Sequence, residues 1–583
     1  MQGGNEPWST WLARIIDPFV AGEALLLATA LLLAWFTPSL GQRLHERAKL
    51  FAARHINSPA RQIVAVGLLA LIARAVFLPW LGPPVPQHYD EFSLMLQAQT
   101  YAAGRLINPT PAFWQHFEEI HINVIPAYGS MYFPGRGLPL AVGLWLADNA
   151  WVGVWLSFVL MAMATVWMLR GWVPAPLALL GGVLVVLRFG IFSYWVNSYW
   201  GGAFTALGAM LVVGALPRML KRPTVPLGVV LGLGALILLT TRPYEGALLC
   251  APLAVYILIV MARRAKFPVG AMLLKVGLPA VLLAAVGGAV LVKHNQATTG
   301  DPLTTAYTLN RQTYAITPAF LISPPVVGEQ RGPAYFRAFY AWENEQYAER
   351  HNPLPMLWAA MGKAIYAFYF HVGFILIPAF LAGVWASRRE WVLAATTVFF
   401  FAGFLIETWG FPHYTAPILP ILLIFTMRGF AWLANWQVQG RAFGPALTRL
   451  MPTAIVLTLV MPSLNVTTGW PRLQSDQYRK PCCAILQTST RADLEAQLKA
   501  SPGRDIVLVA SGRRRPTHTP ILYNEPDIAA SDIIWAQDLN PASNQRLLQY
   551  YAGRTVWTLG WDAKGSAQLQ RLPEPAVTAT PNP

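Results

Sequence analysis

Residues 151–169, WVGVWLSFVLMAMATVWML, carry no charge and no proline, and they stop at Arg170. A bilayer core takes about 20 apolar residues of helix to cross, so this stretch reads as a membrane span. Working outward, stretches near 20–36, 62–80, 175–193, 202–216, 227–241, 247–262, 271–292, 357–386, 391–407, 413–434 and 450–464 read the same way. The sequence predicts an α-helical polytopic membrane protein with about twelve spans.

Composition agrees. Of 583 residues 55% are apolar and 12% are charged, about half the usual charged share. The 23 Trp and 47 Pro suit a bilayer, where Trp favours the interfaces and spanning helices tolerate Pro. A cytosolic enzyme, a disordered chain and a disulfide-stapled secreted module are excluded. Of the three cysteines, Cys482 and Cys483 are adjacent and form neither a framework nor a metal spacing.

The formal net charge of +16 does not describe a nucleic-acid surface, because the cations fall in bursts between apolar stretches. Nothing like a small-residue cleavage site follows the first span. A basic run (Arg43, Arg47, Lys49, Arg54, Arg61) follows instead and marks a cytoplasmic loop. Alternation then puts Arg170, Arg218, Lys221, Arg222, Arg263, Arg264, Lys266, Arg388, Arg389, Arg428, Arg441 and Arg449 inside. This holds provided 137–147, too short to cross, lies as a helix at the outer surface. Segments 81–150, 293–356 and everything from 465 onward fall outside. The expected organisation is a membrane domain over 1–464, an α/β domain over 465–570 and a disordered tail over 571–583. Within the α/β part, RADLEAQLKA and NQRLLQYYAG read as helices, and IVLVA, SDIIWAQDL and TVWTLGW as strands. AYFRAFYAWENEQYAER reads as a helix of the long outer loop.

Five polar clusters end spans on that same face: HYDEF (88–92), NSYWGG (197–202), TRPYEG (241–246), KHN (293–295) and ETWGFPHY (407–414). Ionisable groups near membrane depth are costly and mark function. HYDEFSLMLQAQTYAAGRL, running from His88, places Asp90 and Glu91 at the start of an amphipathic helix, where carboxylates also serve as helix caps. An aromatic loop, AFWQHFEEIHI, and a Pro-Gly-Arg-Gly turn at 134–137 follow.

This string resembles the first outer loop of GT-C-type membrane glycosyltransferases that use polyprenyl-phosphate sugars, in the branch of protein O-mannosyltransferases and aminoarabinose transferases. NSYWGG, RPYEG and the tail ILYNEPDIAASDIIWAQDL resemble a bacterial subgroup of it. One departure is that Met131-Tyr132-Phe133 precedes the turn where such proteins often carry Lys. The resemblance implies an inverting transfer from a polyprenyl-phosphate donor to an envelope lipid, glycan or protein, at the periplasmic face of a bacterial inner membrane. A glycosyl phosphate brings its own leaving group, so the chemistry asks for a base at the acceptor hydroxyl and cations at the phosphate. Asp90 is the expected base, with Glu91 beside it. Arg242 leads the phosphate ligands, with Arg136 and Lys293 behind it, although Arg242 and Glu245 lie within one turn and can simply pair. His88, Tyr244, Glu245, His413 and Tyr414 are candidates for substrate contact; the last two also suit an interfacial belt. No cofactor is expected. A divalent metal would need His88, His116, Glu118 and His121, whose spacing is not diagnostic. A lipid-linked-glycan transporter would show inverted repeats and broken midplane helices, which the sequence lacks; a non-catalytic envelope scaffold would work through the 485–562 region.

Overall fold

The computed structural model describes residues 18–324, 332–469 and 489–573, apart from 502, 511, 513 and 514. Cys482, Cys483 and most of the expected tail lie outside the described residues. Seven helices are long and apolar enough to span a bilayer: Phe19–Phe36, Ala150–Leu169, Gly202–Lys221, Pro243–Arg263, Val269–Thr299, Ala416–Leu433 and Phe443–Thr468. Gln42–His55 and Pro59–Ala75 form a pair bent by 118°. Ala175–Phe189, Val225–Thr241, Ile377–Ala386 and Trp391–Leu405 are shorter apolar helices. Each stretch read as a span therefore lies on helix, and the chain is a multi-pass membrane protein.

One reading needs correction. The single span expected over 357–386 is two helices, Pro353–His371 and Ile377–Ala386. Backbone freed at a break inside apolar surroundings must find partners, and two buried side chains supply them. Arg188 donates to the Phe370 carbonyl (Nε, 2.8 Å) and the Tyr369 carbonyl, while Glu23 accepts from the Phe374 amide (2.9 Å) and pairs with Arg188 at 3.1 Å.

The bundle has two distinct ends. At one, Arg170 donates to Gln62 (2.7 Å), Arg441 to the Trp35 carbonyl (3.3 Å), and Arg428 pairs with Glu390 (2.9 Å), so the basic bursts gather there. At the other end lie the first outer loop, the long loop and the C-terminal domain, packed into one body. Gly143 and Gly153 bring the Pro134–Ala147 helix against Ala150–Leu169 so closely that a Cβ on either would strike the other's backbone.

The Tyr89–Ala102 helix differs from the amphipathic helix expected, since ten of its 14 residues are buried. Leu94, Ala98 and Tyr101 join the core of the bundle, whereas Phe92 and Leu96 pack with Ile506, Leu508 and Ile534 of the C-terminal domain. Both of its faces are apolar because both have a partner. Beside it runs a small antiparallel sheet, β1 (Asn108–Pro109), β2 (Ile122–Asn123) and β3 (Ala127–Ser130), in the order β1-β3-β2.

The C-terminal domain is a four-stranded sheet of β4 (Asp505–Ala510), β5 (Ile533–Asp538), β6 (Thr555–Trp561) and β7 (Ala567–Arg571), in the order β5-β4-β6-β7. β4 runs parallel to both β5 and β6; β7 is antiparallel. Helices Thr490–Lys499 and Pro541–Tyr550 complete it. Three strands and both helices match the sequence reading; β7, three of whose five residues face solvent, was not anticipated. A buried ion pair fixes this domain to the first loop: Arg515 Nη2 lies 3.2 Å from Glu119 Oε2, and both side chains are 1% exposed. Glu119 also accepts from the Leu522 amide at 2.8 Å.

Breaking a buried pair on one side costs about 3–5 kcal/mol, because the other charge stays buried. Arg515→Met alone is expected to lower the thermal midpoint and to open the C-terminal domain to limited proteolysis. Arg515→Met with Glu119→Gln should recover much of the loss, measured by the same two assays.

Candidate active site

The helix that begins at Tyr89 separates its two acidic residues by direction. Glu91 turns inward, where Oε2 accepts from the Gln87 (2.8 Å) and His88 (3.2 Å) amides and Oε1 from the Tyr199 amide (2.9 Å). Burial lifts the Glu91 carboxyl to about 7 against the pull of these three amides. The geometry makes Glu91 a clamp on the backbone rather than a group facing substrate. Asp90 turns the other way and keeps its side chain 28% exposed. Tyr132 Oη donates to its Oδ1, and His121 Nδ1 lies 3.6 Å from Oδ2. Burial pushes the Asp90 carboxyl upward, but His121, the Tyr132 hydrogen bond and the Arg136 charge prevail and hold it well below the usual carboxylate range.

Arg136 faces this carboxylate, and Arg242 lies near enough to Arg136 to act on it. Arg136 sits in the first turn of the Pro134–Ala147 helix, over the Tyr132 ring at 4.3 Å, and donates to the Trp200 carbonyl (3.2 Å). Among the described residues it has no carboxylate partner within salt-bridge range. Arg242 fills the break between Val225–Thr241 and Pro243–Arg263, lies over Tyr414 at 3.9 Å and pairs with Glu245. The local pair that its spacing allowed is therefore formed. Burial and then the Arg242 charge lower Arg136 from its ordinary value, so two cations act on each other beside the Asp90 carboxylate. Such a site favours an anion.

Aromatic rings wall it. His88 stacks on Trp200 (5.2 Å, 14°), Trp200 meets His413 (5.0 Å), and His413 stacks on Phe411 (5.8 Å, 10°). His413 Nδ1 lies 3.1 Å from Tyr194 Oη. Burial first, then Arg242 and Arg136, hold its pKa far down, leaving the ring neutral. Arg74, wholly buried, positions the loop that carries Trp200: it donates to Asn197 (3.0 Å) and to the Gly82 carbonyl (2.6 Å). A narrow crevice opens from Arg136 into the bundle between Leu140, Val154, Trp195, Trp200 and Phe204.

The structure thus brings together Asp90, His88, Arg136, Arg242, Glu245, His413 and Tyr414. It does not bring in Lys293, which is exposed on the Val269–Thr299 helix while its neighbours His294 and Asn295 turn inward. Tyr244 is also diverted: its hydroxyl donates to the Gly403 carbonyl (3.0 Å) and its ring meets Phe320. The supposed metal set disperses. His116 bonds the Gln537 carbonyl (2.7 Å) and Ser543 (2.8 Å) of the C-terminal domain, and Glu118 accepts from Tyr314 (2.8 Å). Among the described residues no group of three or more His, Cys, Asp or Glu is placed to hold a metal ion. Tyr132 and His121 were missed as partners of Asp90; only their closeness to the Pro-Gly-Arg-Gly turn hinted at them.

No family model matches the chain and no curated protein sequence matches it. Among solved structures it is similar to ArnT from Cupriavidus metallidurans bound to undecaprenyl phosphate, with a TM-score of 0.47 and 14% identity over 85% of this chain and 93% of that one. The apo state of the same protein gives 0.46 and 13% over 85% and 92%. The Archaeoglobus fulgidus oligosaccharyltransferase in complex with Zn and sulfate gives 0.43 and 10% over 76% and 60%. At these scores the likeness is loose, and the functional reading below rests on the site's own residues.

Glu91→Ala orphans three amides, each worth about 1–3 kcal/mol when left buried and unpaired. A marked fall in thermal midpoint is expected, with Glu91→Gln much milder because its amide oxygen still accepts. Equal midpoints for the two variants in purified protein would remove the clamp.

Proposed function

We propose that this chain is a membrane glycosyltransferase that moves a sugar from a polyprenyl-phosphate-linked donor to an envelope acceptor by a single inverting displacement. The observation that carries the reading is an ionised carboxylate, Asp90, set against two arginines, one without a carboxylate partner, at the mouth of an apolar crevice. Each part answers a need of that reaction. The acceptor hydroxyl must lose a proton as it attacks the anomeric carbon, and the Asp90 region supplies the negative charge that this step requires. The donor phosphate gains charge as it departs, and Arg136 and Arg242 offer guanidinium forks to its oxygens. The crevice past Arg136 offers apolar surface to the first isoprenoid units. One-step displacement at the anomeric carbon inverts it, by the logic that governs inverting glycosidases.

The motif resemblance of the first outer loop points the same way, and the positive-inside bias supports a periplasmic active face in a bacterial inner membrane. Envelope lipid, glycan and protein remain the three acceptor classes. Protein in membranes supplied with undecaprenyl phosphate carrying radiolabelled glucose, mannose or aminoarabinose is expected to pass label into one of these fractions.

Asp90→Asn should lower that transfer by about two to four orders of magnitude while leaving undecaprenyl phosphate binding intact. A helix cap predicts otherwise, because Asn caps about as well as Asp. Near-native transfer by folded, donor-competent Asp90→Asn would remove the site from the reaction.

Phosphate binding separates the two arginines. Arg136→Ala is expected to weaken undecaprenyl phosphate binding by about tenfold or more, the equivalent of one charge-assisted bond or more, with partial recovery in Arg136→Lys. Arg242→Ala should cost less, since Glu245 already shares its charge. Native mass spectrometry of lipid-loaded protein reads both, and unchanged loading in Arg136→Ala would assign that arginine to structure alone.

A further inference from the structure

We propose that His121 takes the proton from the acceptor hydroxyl at its Nε2 atom, with Asp90 and Tyr132 acting through it by fixing the ring and its tautomer. This rests on the transferase reading above and names the atom at which its proton step occurs.

Hydrogen-bond logic assigns the tautomer. Tyr132 has one hydroxyl proton, and it goes to Asp90 Oδ1. Toward His121 Nδ1, 3.3 Å away, the Tyr132 oxygen is therefore the acceptor. Nδ1 must carry the ring proton, and it also faces Asp90 Oδ2 at 3.6 Å. In the neutral imidazole this leaves Nε2 as the basic nitrogen. Nε2 meets no hydrogen-bond partner among the described residues, and the side chain is 12% exposed. Both oxygens of Asp90 are directed at Tyr132 and His121, and a carboxylate held this far below its ordinary range is a weak proton acceptor.

The backbone gives an independent observation. His121 has φ 65°, a left-handed conformation that residues other than glycine seldom adopt. Its surroundings hold it there. The Met131 amide donates to the His121 carbonyl (3.2 Å), and Ser93 Oγ, itself 2.8 Å from Ser130 Oγ, donates to it at 2.7 Å. Such over-determined outliers concentrate at working sites. Three rings then wall the imidazole edge-on: Tyr132 at 6.0 Å, Tyr89 at 6.3 Å and Phe339 at 5.8 Å. The titratable groups that face it are Asp90 and Tyr89 from one helix and Tyr132 beyond β3, with Arg136 over the Tyr132 ring; the helix from Ala334 presents Phe339, behind which lies His518.

The step balances as follows. The acceptor oxygen forms a bond to the anomeric carbon, and the carbon–oxygen bond to phosphate breaks with its electron pair leaving on the phosphate. The acceptor proton passes to His121 Nε2. The imidazolium so formed is balanced by Asp90 and later releases its proton to solvent or to the departed phosphate. This division of labour is that of a hydrolase triad, in which the carboxylate orients and stabilises the imidazole without itself being protonated.

The test uses the full chain in nanodiscs with radiolabelled undecaprenyl-phosphate sugar and the acceptor fraction found above. His121→Gly suits the left-handed backbone and opens space for a free ring. We expect transfer to fall by about two to four orders of magnitude, with undecaprenyl phosphate binding retained. Added imidazole or methylimidazole should restore part of the rate in proportion to its free base. His121→Asn, which also tolerates that backbone, should lose transfer without opening room for rescue. Near-native transfer by folded His121→Gly would overturn the inference, and so would loss of transfer with normal donor binding and no rescue by either imidazole. Absence of transfer by the native chain from every donor would overturn the transferase reading itself, and this inference with it.

Discussion

Everything at the outer face of this protein depends on where one buried carboxylate finds its hydrogen bonds. Glu91 has three amide donors, two just ahead of its own helix and one more than a hundred residues away at Tyr199. The first two set the start of the Tyr89–Ala102 helix. The third draws in the loop that carries Trp200, so that His88, Trp200 and His413 stack in a row. Because Glu91 is turned inward, the residue before it must point elsewhere on the helix. Asp90 is thereby delivered to the site. An adjacent acidic pair is thus a structural anion and a chemical one, separated by about 100° of helical rotation.

The same distinction sorts the arginines. Arg74, Arg188 and Arg515 are buried, and each meets carbonyls or a carboxylate where the backbone is broken or two segments join. Arg188 and Arg515 have their charges answered by a carboxylate within the fold, and Arg74 is held by Asn197, the Gly82 carbonyl and the Trp151 ring. Arg136 is held by an aromatic face and one carbonyl, with Arg242 near enough to repel it. Arg136 thus acts on Asp90 across space without forming an ion pair with it.

Much of this was legible in the sequence. The spans and the strands and helices of the C-terminal domain follow from local patterns of apolar residues, and those patterns survive folding. The first outer loop was harder. HYDEFSLMLQAQTYA looks amphipathic only if one side is assumed to be wet; its polar Ser93, Gln97 and Thr100 turn instead to internal partners, Ser130, the Tyr132 carbonyl and the Leu96 carbonyl. The break at 372–376 depends on Arg188 and Glu23, far away in sequence, which supply what the helix gives up there. Lys293 stood behind Arg242 among the expected phosphate ligands, and both follow apolar runs, but Lys293 lies on an exposed helix face while Arg242 sits buried in a break between two helices. His121 was the hardest to see. Its neighbours Asp90 and Tyr132 come from either side of the small sheet, and a sequence shows neither a hydrogen-bond direction nor a left-handed φ.

The C-terminal domain is best understood as part of the site rather than as an appendage. Tyr89, next to Asp90, donates to the Thr517 carbonyl (3.0 Å), and Tyr128 of β3 donates to the Asn524 carbonyl (2.8 Å). Arg515 lies over Tyr335 of the long loop at 3.9 Å while it pairs with Glu119, two residues before His121. Three segments that leave the membrane at different places therefore share one set of buried polar contacts, and the strained turn at His121 lies among them. Buried polar networks of this kind are costly when incomplete and rigid when complete. The geometry around Asp90 is accordingly a property of the docked assembly, and a membrane domain without its C-terminal sheet would keep Asp90, Tyr132 and His121 yet lack the contacts that align them.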